Sequence, residues 1–156
     1  MTNPGNNPFP PTPAPTSPYL YLAVMRRTTN FTVAQSFAPG TLLTGTNKTV
    51  VVPEGNNLVL EMEMNMEVSF ASIAAVGFLA RIDGLTVQES WSETGSAHDR
   101  TNVVCRFFTS VTSGASHDLA VNIFNTSANT LTIPANRCQV SYRIYEAPEL
   151  TTIEDF

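Results

Sequence analysis

Residues 58–70 of this chain read LVLEMEMNMEVSF, and this stretch decides the fold. Every even position in it is apolar, from Leu58 to Phe70, whereas the odd positions are mostly polar or acidic. A period of two places one set of side chains on one face of a β-strand, but a helix would scatter them around its circumference. The stretch predicts a long strand with one dry and one wet face. Because so long a strand is unusual, we expect a bend or bulge near residues 67–69.

Alternating or β-branched runs divide the rest of the chain into roughly eight to ten strands separated by turns. The strongest turn signal is Asp83-Gly84, which predicts a hairpin after a strand ending near Ile82. A short helix around residues 72–76 is the alternative just before that strand. The final strand, residues 137–145, alternates as well and places Cys138, Val140, Tyr142 and Ile144 inward. The pattern is typical of an all-β fold, an antiparallel β-sandwich.

The chain is expected to have three parts: an arm at residues 1–18, the sandwich at 19–146 and an acidic tail at 147–156. The first part is rich in proline and has no charged side chain, so it cannot form a helix or pair within a sheet. It is either a disordered tail or an extended arm that docks on a neighbouring molecule. Phe9, Tyr19 and Tyr21 are the candidate partner contacts.

Composition excludes several classes of partner. The net charge is -5, and the eight basic residues are scattered, with Arg26-Arg27 the only adjacent pair, so no nucleic-acid partner is expected. No apolar run approaches the length of a membrane span, so no membrane is expected either. The N-terminus does not resemble a signal peptide, and the chain is expected to fold in the cytoplasm.

No residue pattern points to catalysis, a cofactor or a metal. Cys105 and Cys138 are each in phase with apolar neighbours, which predicts two buried free thiols, with a disulfide as the alternative. Glu61, Glu63 and Glu67 share one strand face, and a solvated face is the expected reading. The alternatives are a glycosidase carboxylate pair, or ion pairs across strands to Arg106 or Arg143. We therefore expect a protein that is not an enzyme.

One loop is a candidate contact region. Trp91 ends a strand and is followed by a polar loop to Arg100, so Trp91, His98 and Arg100 could contact a ligand at this tip. The alternatives are a core position for Trp91 and a plain surface position for His98. His117, the other histidine, begins a strand and is expected to bond to backbone there.

The last third of the chain carries a family resemblance. It consists of an alternating strand preceded by a histidine (SHDLAVNIFN, residues 116–125), a polar turn, a short strand at 131–133 and a closing strand from Cys138. This order resembles the closing strands of trimeric jelly-roll modules of the tumour-necrosis-factor/C1q type. Similar modules occur in bacteriophage virion proteins, as capsid decoration (cement) proteins and as heads of tail fibres.

The resemblance implies a role in a virion. It implies a jelly roll, a homotrimer and a capsid decoration protein that binds the major capsid protein and stabilises a phage head. The expected location is the capsid surface, after assembly in the host cytoplasm. The alternative is a receptor- or glycan-binding head of a tail fibre or spike.

Overall fold

The chain forms an all-β, antiparallel sandwich in a computed structural model that describes residues 17–69, 75–93 and 100–147. Phe9, His98, most of the arm and nearly all of the acidic tail lie outside the described residues. The described part contains no helix, and hence none that could cross a membrane. Its strands are β1 Tyr21–Arg26, β2 Phe31–Val33, β3 Ser36–Leu42, β4 Lys48–Val51, β5 Leu58–Ser69, β6 Ala75–Ile82, β7 Leu85–Glu93, β8 Arg100–Ser110, β9 Ser116–Asn125, β10 Leu131–Ile133 and β11 Cys138–Glu146.

The strands form two sheets in the order of a jelly roll. Sheet A has the order β1-β11-β5-β8, with the short strands β10 and β2 continuing it at one end of β5. Sheet B has the order β9-β6-β7, and both β3 and β4 pair with the free side of β9. A jelly roll has eight strands in two sheets. Eight strands remain here when β3 and β4 are counted as one interrupted strand and the short strands β2 and β10 are left out. Numbered along the chain, strands 1, 8, 3 and 6 then form one sheet, and strands 2, 7, 4 and 5 form the other. This arrangement confirms the predicted fold class.

Strand β5 lies at the centre of sheet A, as its alternation predicts. Its even side chains point into the sandwich, and the core packs them against the inner side of sheet B. Pairing with β8 runs from Val59 to Ser69 without a register shift, so of the bend or bulge expected near residues 67–69 the bulge is not seen, and the bend remains a prediction. Instead, the neighbour on the other side changes there, because β11 pairs up to Met66 and β10 pairs at Ser69. Two partners in succession support a strand of this length.

The two cysteines are buried and free, as predicted. Cys105 pairs with Met64 from β8, and Cys138 pairs with Met66 from β11, so β5 lies between them. Two strand spacings, roughly 10 Å, exceed the Cα separation that a disulfide can bridge. Burial also raises the pKa of the Cys138 thiol to about 11, which keeps it protonated and unreactive at neutral pH.

The predicted hairpin at Asp83-Gly84 connects β6 and β7. Both turn residues have positive φ, 52° and 79°, which is the geometry of a type I′ turn. The helix considered around residues 72–76 is not seen where the chain is described, because Ala75 already belongs to β6.

Candidate interaction surface

The outer face of sheet A is the surface on which charged and apolar side chains are arranged most distinctively. It is formed by the side chains of β1, β11, β5 and β8 that point away from the core. Acidic side chains of β5 lie in its middle, arginines reach them from β11 and β8, and apolar side chains occupy its two outermost strands.

Two glutamates and two arginines form one ion-pair network in the middle of this face. Glu61 pairs in register with Arg143, and Glu63 pairs in register with Arg106. The Arg143 Nη1 atom donates to Glu61 Oε1 at 2.8 Å and to Glu63 Oε2 at 2.5 Å. Arg106 contacts the same two carboxylates at 3.4 Å each. Since Glu61 is only 8% exposed, the expectation of a solvated acidic face is wrong here and the cross-strand alternative is confirmed.

This network holds the carboxylate of Glu63 in the ionised form. The hydrogen bond from Arg143 is the main reason that the pKa of Glu63 is lowered from its ordinary value, and the positive charges of both arginines add to it. A glycosidase acid catalyst needs a raised pKa instead, so that it carries a proton at working pH. Glu63 therefore lacks the property that the carboxylate-pair alternative requires of its acid.

Tyr19 lies on the same face, where the chain enters sheet A. Its ring packs edge-on against Tyr145, with centroids 6.2 Å apart, and the Arg143 guanidinium lies 5.7 Å from its centroid. Tyr21, two residues on, points the other way and packs against the core. Of the two tyrosines considered as partner contacts, Tyr19 is therefore the one whose ring lies on the outer face. It directly follows the last residue of the arm.

Apolar side chains are exposed along both outermost strands of this face. On the β1 side Leu20, Leu22 and Val24 are 45%, 48% and 53% exposed, and we call them the β1 stripe. On the β8 side Val104 and Phe108 are 59% and 39% exposed, and we call them the β8 patch. In the described chain β8 pairs only with β5, so its 11 residues also present an unpaired backbone edge. Long apolar edges of this kind favour association with another chain.

A polar groove of about 380 Å³ continues the face beyond the network. Four of its lining side chains are amides and four are charged, including one arginine–glutamate pair, Arg137 Nη1 to Glu67 Oε2 at 3.5 Å. The amides are Asn65, Asn102, Asn136 and Gln139. Such a lining offers both donors and acceptors to a hydroxylated ligand.

The predicted tip loop is described only at its ends. Trp91 and Arg100 are strand residues, in β7 and β8, and the loop residues 94–99 between them lie outside the described chain. The structure therefore does not bring Trp91, His98 and Arg100 together or separate them, and the contact prediction for this loop remains untested.

His117 contacts a side chain, so the expected backbone bond is wrong. Its Nδ1 atom donates to Asp83 Oδ2 at 2.8 Å, and the Asp118 N–H donates to the other oxygen of Asp83 at 2.8 Å. These bonds attach the β6–β7 hairpin to the first residues of β9. Sequence reasoning missed the pair because the two residues are 34 positions apart, and the sequence does not show that β6 pairs with β9 beside them.

The Asp83–His117 contact predicts a pH-dependent stability. The His117 hydrogen bond is the main cause that lowers the pKa of Asp83 below its ordinary value of 3.8. The stability that this contact contributes is complete above pH 3.8. It is lost as the pH falls through the lowered pKa that Asp83 has in the folded state. Asp83→Asn keeps a residue that tolerates positive φ, so it should lower the melting temperature at neutral pH while the turn persists.

The difference in melting temperature between wild type and Asp83→Asn should therefore shrink as the pH falls below 3.8. Thermal unfolding followed by circular dichroism across this range measures it. Glu89→Gln on the exposed strand β7 is the control and should show no such convergence. An Asp83→Asn deficit that stays constant with pH would contradict the assignment.

No protein-family model matches the chain, and no curated protein is significantly similar to it in sequence. Within the described ranges, no group of three or more His, Cys, Asp or Glu side chains is placed to hold a metal ion. The candidate surface must therefore be interpreted from its own chemistry.

Proposed function

We propose that this protein is a structural virion protein: a homotrimeric decoration protein that binds the major capsid protein and stabilises a phage head. The observation that carries the proposal is the β1 stripe, three exposed apolar side chains in and directly before an edge strand. A strand that is apolar on both sides is normally covered on both sides. Within the described chain only the inner side of β1 is covered, which supports a partner on the outer side.

The chemistry of the face supports a protein partner. Its central charges neutralise one another within the chain, so a partner need not supply counter-charges to cover them. The β1 stripe and the β8 patch lie at opposite edges of the same face. A contact between the stripe of one copy and the patch of the next is heterologous, and contacts of this kind form a ring when the rotation between copies closes. A trimer is the ring size that the sequence resemblance implies.

The mechanism of such a protein is mechanical. Each attached trimer buries surface that bridges neighbouring capsid subunits, so opening the capsid must also break those contacts. The proline-rich arm, residues 1–18, joins the sandwich beside Tyr19 on the candidate face. In this proposal it contacts a capsid subunit or a neighbouring copy. A stiff proline segment loses less conformational entropy on docking than a flexible one.

Deletion of residues 1–18 tests the proposal. We expect the shortened chain to lose capsid binding in co-sedimentation, because the arm supplies the contact with the capsid. Light scattering should still give a trimer for both forms, near three times 16.9 kDa for the full-length chain and three times its own smaller chain mass for the shortened one, because the arm is not needed for the trimer. Unchanged capsid binding would refute the role of the arm, and a monomeric full-length chain would refute the trimer.

A second function, a receptor- or glycan-binding head of a tail fibre or spike, is favoured by the polar groove. Four amide side chains around a volume of about 380 Å³ suit the hydroxyl groups of a saccharide. The copy number in the particle separates the two functions, since decoration proteins are present in far more copies than fibre tips. Quantitative mass spectrometry of purified particles gives this number.

A further inference from the structure

A small pocket lies at the end of the sandwich where β1 ends, next to the turn between β3 and β4. It has a volume of about 170 Å³. Two arginines and several threonines line it, and none of the described residues around it is acidic. In a chain with a net charge of -5, this is a local concentration of positive charge and hydroxyl groups. The lining includes Arg26, Arg27, Thr28, Thr44 and Thr46.

Arg27 is held in place but is not paired with a carboxylate in the described chain. Its Nη1 atom donates to the Thr44 carbonyl at 3.1 Å and to the Thr44 hydroxyl at 3.2 Å. Its guanidinium lies over the Phe31 ring, 4.4 Å from the centroid. Backbone bonds to Cys138 and Asn136 fix the residue itself. The guanidinium is therefore oriented before any ligand arrives.

The same guanidinium has a donor to spare. The Nε atom of Arg27 is buried and has no hydrogen-bond partner. A buried N–H without an acceptor is unfavourable, and the rest of the Arg27 guanidinium stays open to an anion, because its Nη1 atom is exposed where it bonds to Thr44. The arginines of the ion-pair network show the usual solution, because each contacts carboxylates. Arg27 has the fixed geometry of such a pair without the anion.

We propose that this pocket binds a carboxylate side chain presented by an acidic peptide segment of another protein chain. A guanidinium fork matches the two oxygens of a carboxylate, and the volume suits a single such group flanked by threonine hydroxyls. The source is the acidic tail of a second copy, which carries Glu149, Glu154 and Asp155 and complements the positive charge of the pocket. The inference rests on the proposed assembly of several copies, and it names a contact used there.

Geometry disfavours the tail of the same chain as the source. The described chain ends at Ala147, whose N–H donates to the Asn57 carbonyl at the opposite end of β11 from the pocket. The nine residues of β11 span roughly 26 Å, and residues 147–155 reach roughly 27 Å when fully extended. Asp155 could thus approach its own pocket only with the tail completely stretched, and Glu149 could not reach it at all.

The test is the binding of a labelled peptide with the sequence of residues 147–156 to the full-length protein, measured by fluorescence anisotropy. We expect saturable binding that weakens as salt is raised. Binding should be at least about tenfold weaker for Arg27→Gln, and equally weakened when the three peptide acids are replaced by Gln, Gln and Asn. The matched control is Arg81→Gln, because Arg81 also has a buried Nε atom without a hydrogen-bond partner but lies in sheet B. This variant should bind the peptide as tightly as the wild type does.

Two further arms keep the result interpretable. If Arg27→Gln does not fold, hydrogen exchange on the wild type should show peptide-dependent protection at residues 25–29 and 43–46. A chain truncated after Ala147 should bind the peptide more tightly than the full chain, because no tail of a second copy then occupies the pocket, and equal affinity of the two chains would overturn the tail as the occupant. Equal binding of the neutral peptide, or binding unaffected by Arg27→Gln, would overturn the proposal. No capsid is present in the peptide assay, so a failure of peptide binding would not contradict the decoration function. Equally, a failure of the full-length protein to bind capsids in co-sedimentation would not contradict peptide binding in the pocket.

Discussion

Gly77→Ala is expected to destabilise the protein by about 2–3 kcal/mol, although the same change in most strands is neutral or favourable. Gly77 lies in β6 directly opposite Phe124 of β9. A Cβ atom at Gly77 would be 1.7 Å from Phe124 Cζ, with two further ring atoms within 2.5 Å. The ring is almost completely buried, so it cannot move aside without losing its packing. The methyl group must therefore displace the ring or separate the two strands.

Urea denaturation followed by far-ultraviolet circular dichroism measures this loss. The rescue variant is Phe124→Ala, which should itself cost about 3 kcal/mol as a buried aromatic truncation. Adding Gly77→Ala to Phe124→Ala should cost nothing further, because the atoms that collide are gone. If the two substitutions are additive, the ring contact is not the reason for glycine at this position.

The Gly77–Phe124 contact also shows where sequence reasoning ends. Alternation identifies β6 and β9 as strands and identifies their inward side chains, because period two is a local property. Which residue of one strand lies opposite which residue of the other depends on the register between segments more than 40 positions apart. That register follows from the packing of the whole core, and the bonds of Asp83 to His117 and Asp118 are consistent with it. A glycine in a strand predicts a close approach, but it does not name the approaching group.

The outer face of sheet A was partly predictable for the same reason. The odd positions of β5 show that acidic side chains share a face, and Arg106 and Arg143 were considered as possible partners. Their burial could not be predicted, because it requires β8 and β11 to bring arginines to both sides of one strand. The pocket at Arg27 was missed altogether. Arg27 differs from other arginines at strand ends because Phe31 and Thr44 contact its guanidinium, and these contacts form only in the folded chain.

Arg143→Met is expected to cost about 2–3 kcal/mol at neutral pH, because it removes the closest partner of two largely buried carboxylates. Arg143 contacts Glu61 at 2.8 Å, whereas Arg106, which remains, is 3.4 Å from it. Methionine retains much of the apolar stem, so the loss reports the charge and its hydrogen bonds more than the packing. The figure is below that of a fully buried pair because Arg106 still compensates part of the negative charge.

The pH dependence of this loss distinguishes a broken ion pair from a packing defect. Arg143 holds the folded-state pKa of Glu63 below its ordinary value of 4.5. In the wild type that stabilisation is complete above pH 4.5 and is lost as the pH falls through the lowered value. In Arg143→Met the pKa of Glu63 returns upward, so the stability difference from wild type should narrow below pH 4.5.

Arg137→Met is the matched control: its pair with Glu67 is longer, at 3.5 Å, and Arg137 is 58% exposed, so it should cost under about 1 kcal/mol. Equal losses for both arginines, or a difference that ignores pH, would mean that the network does not stabilise this face.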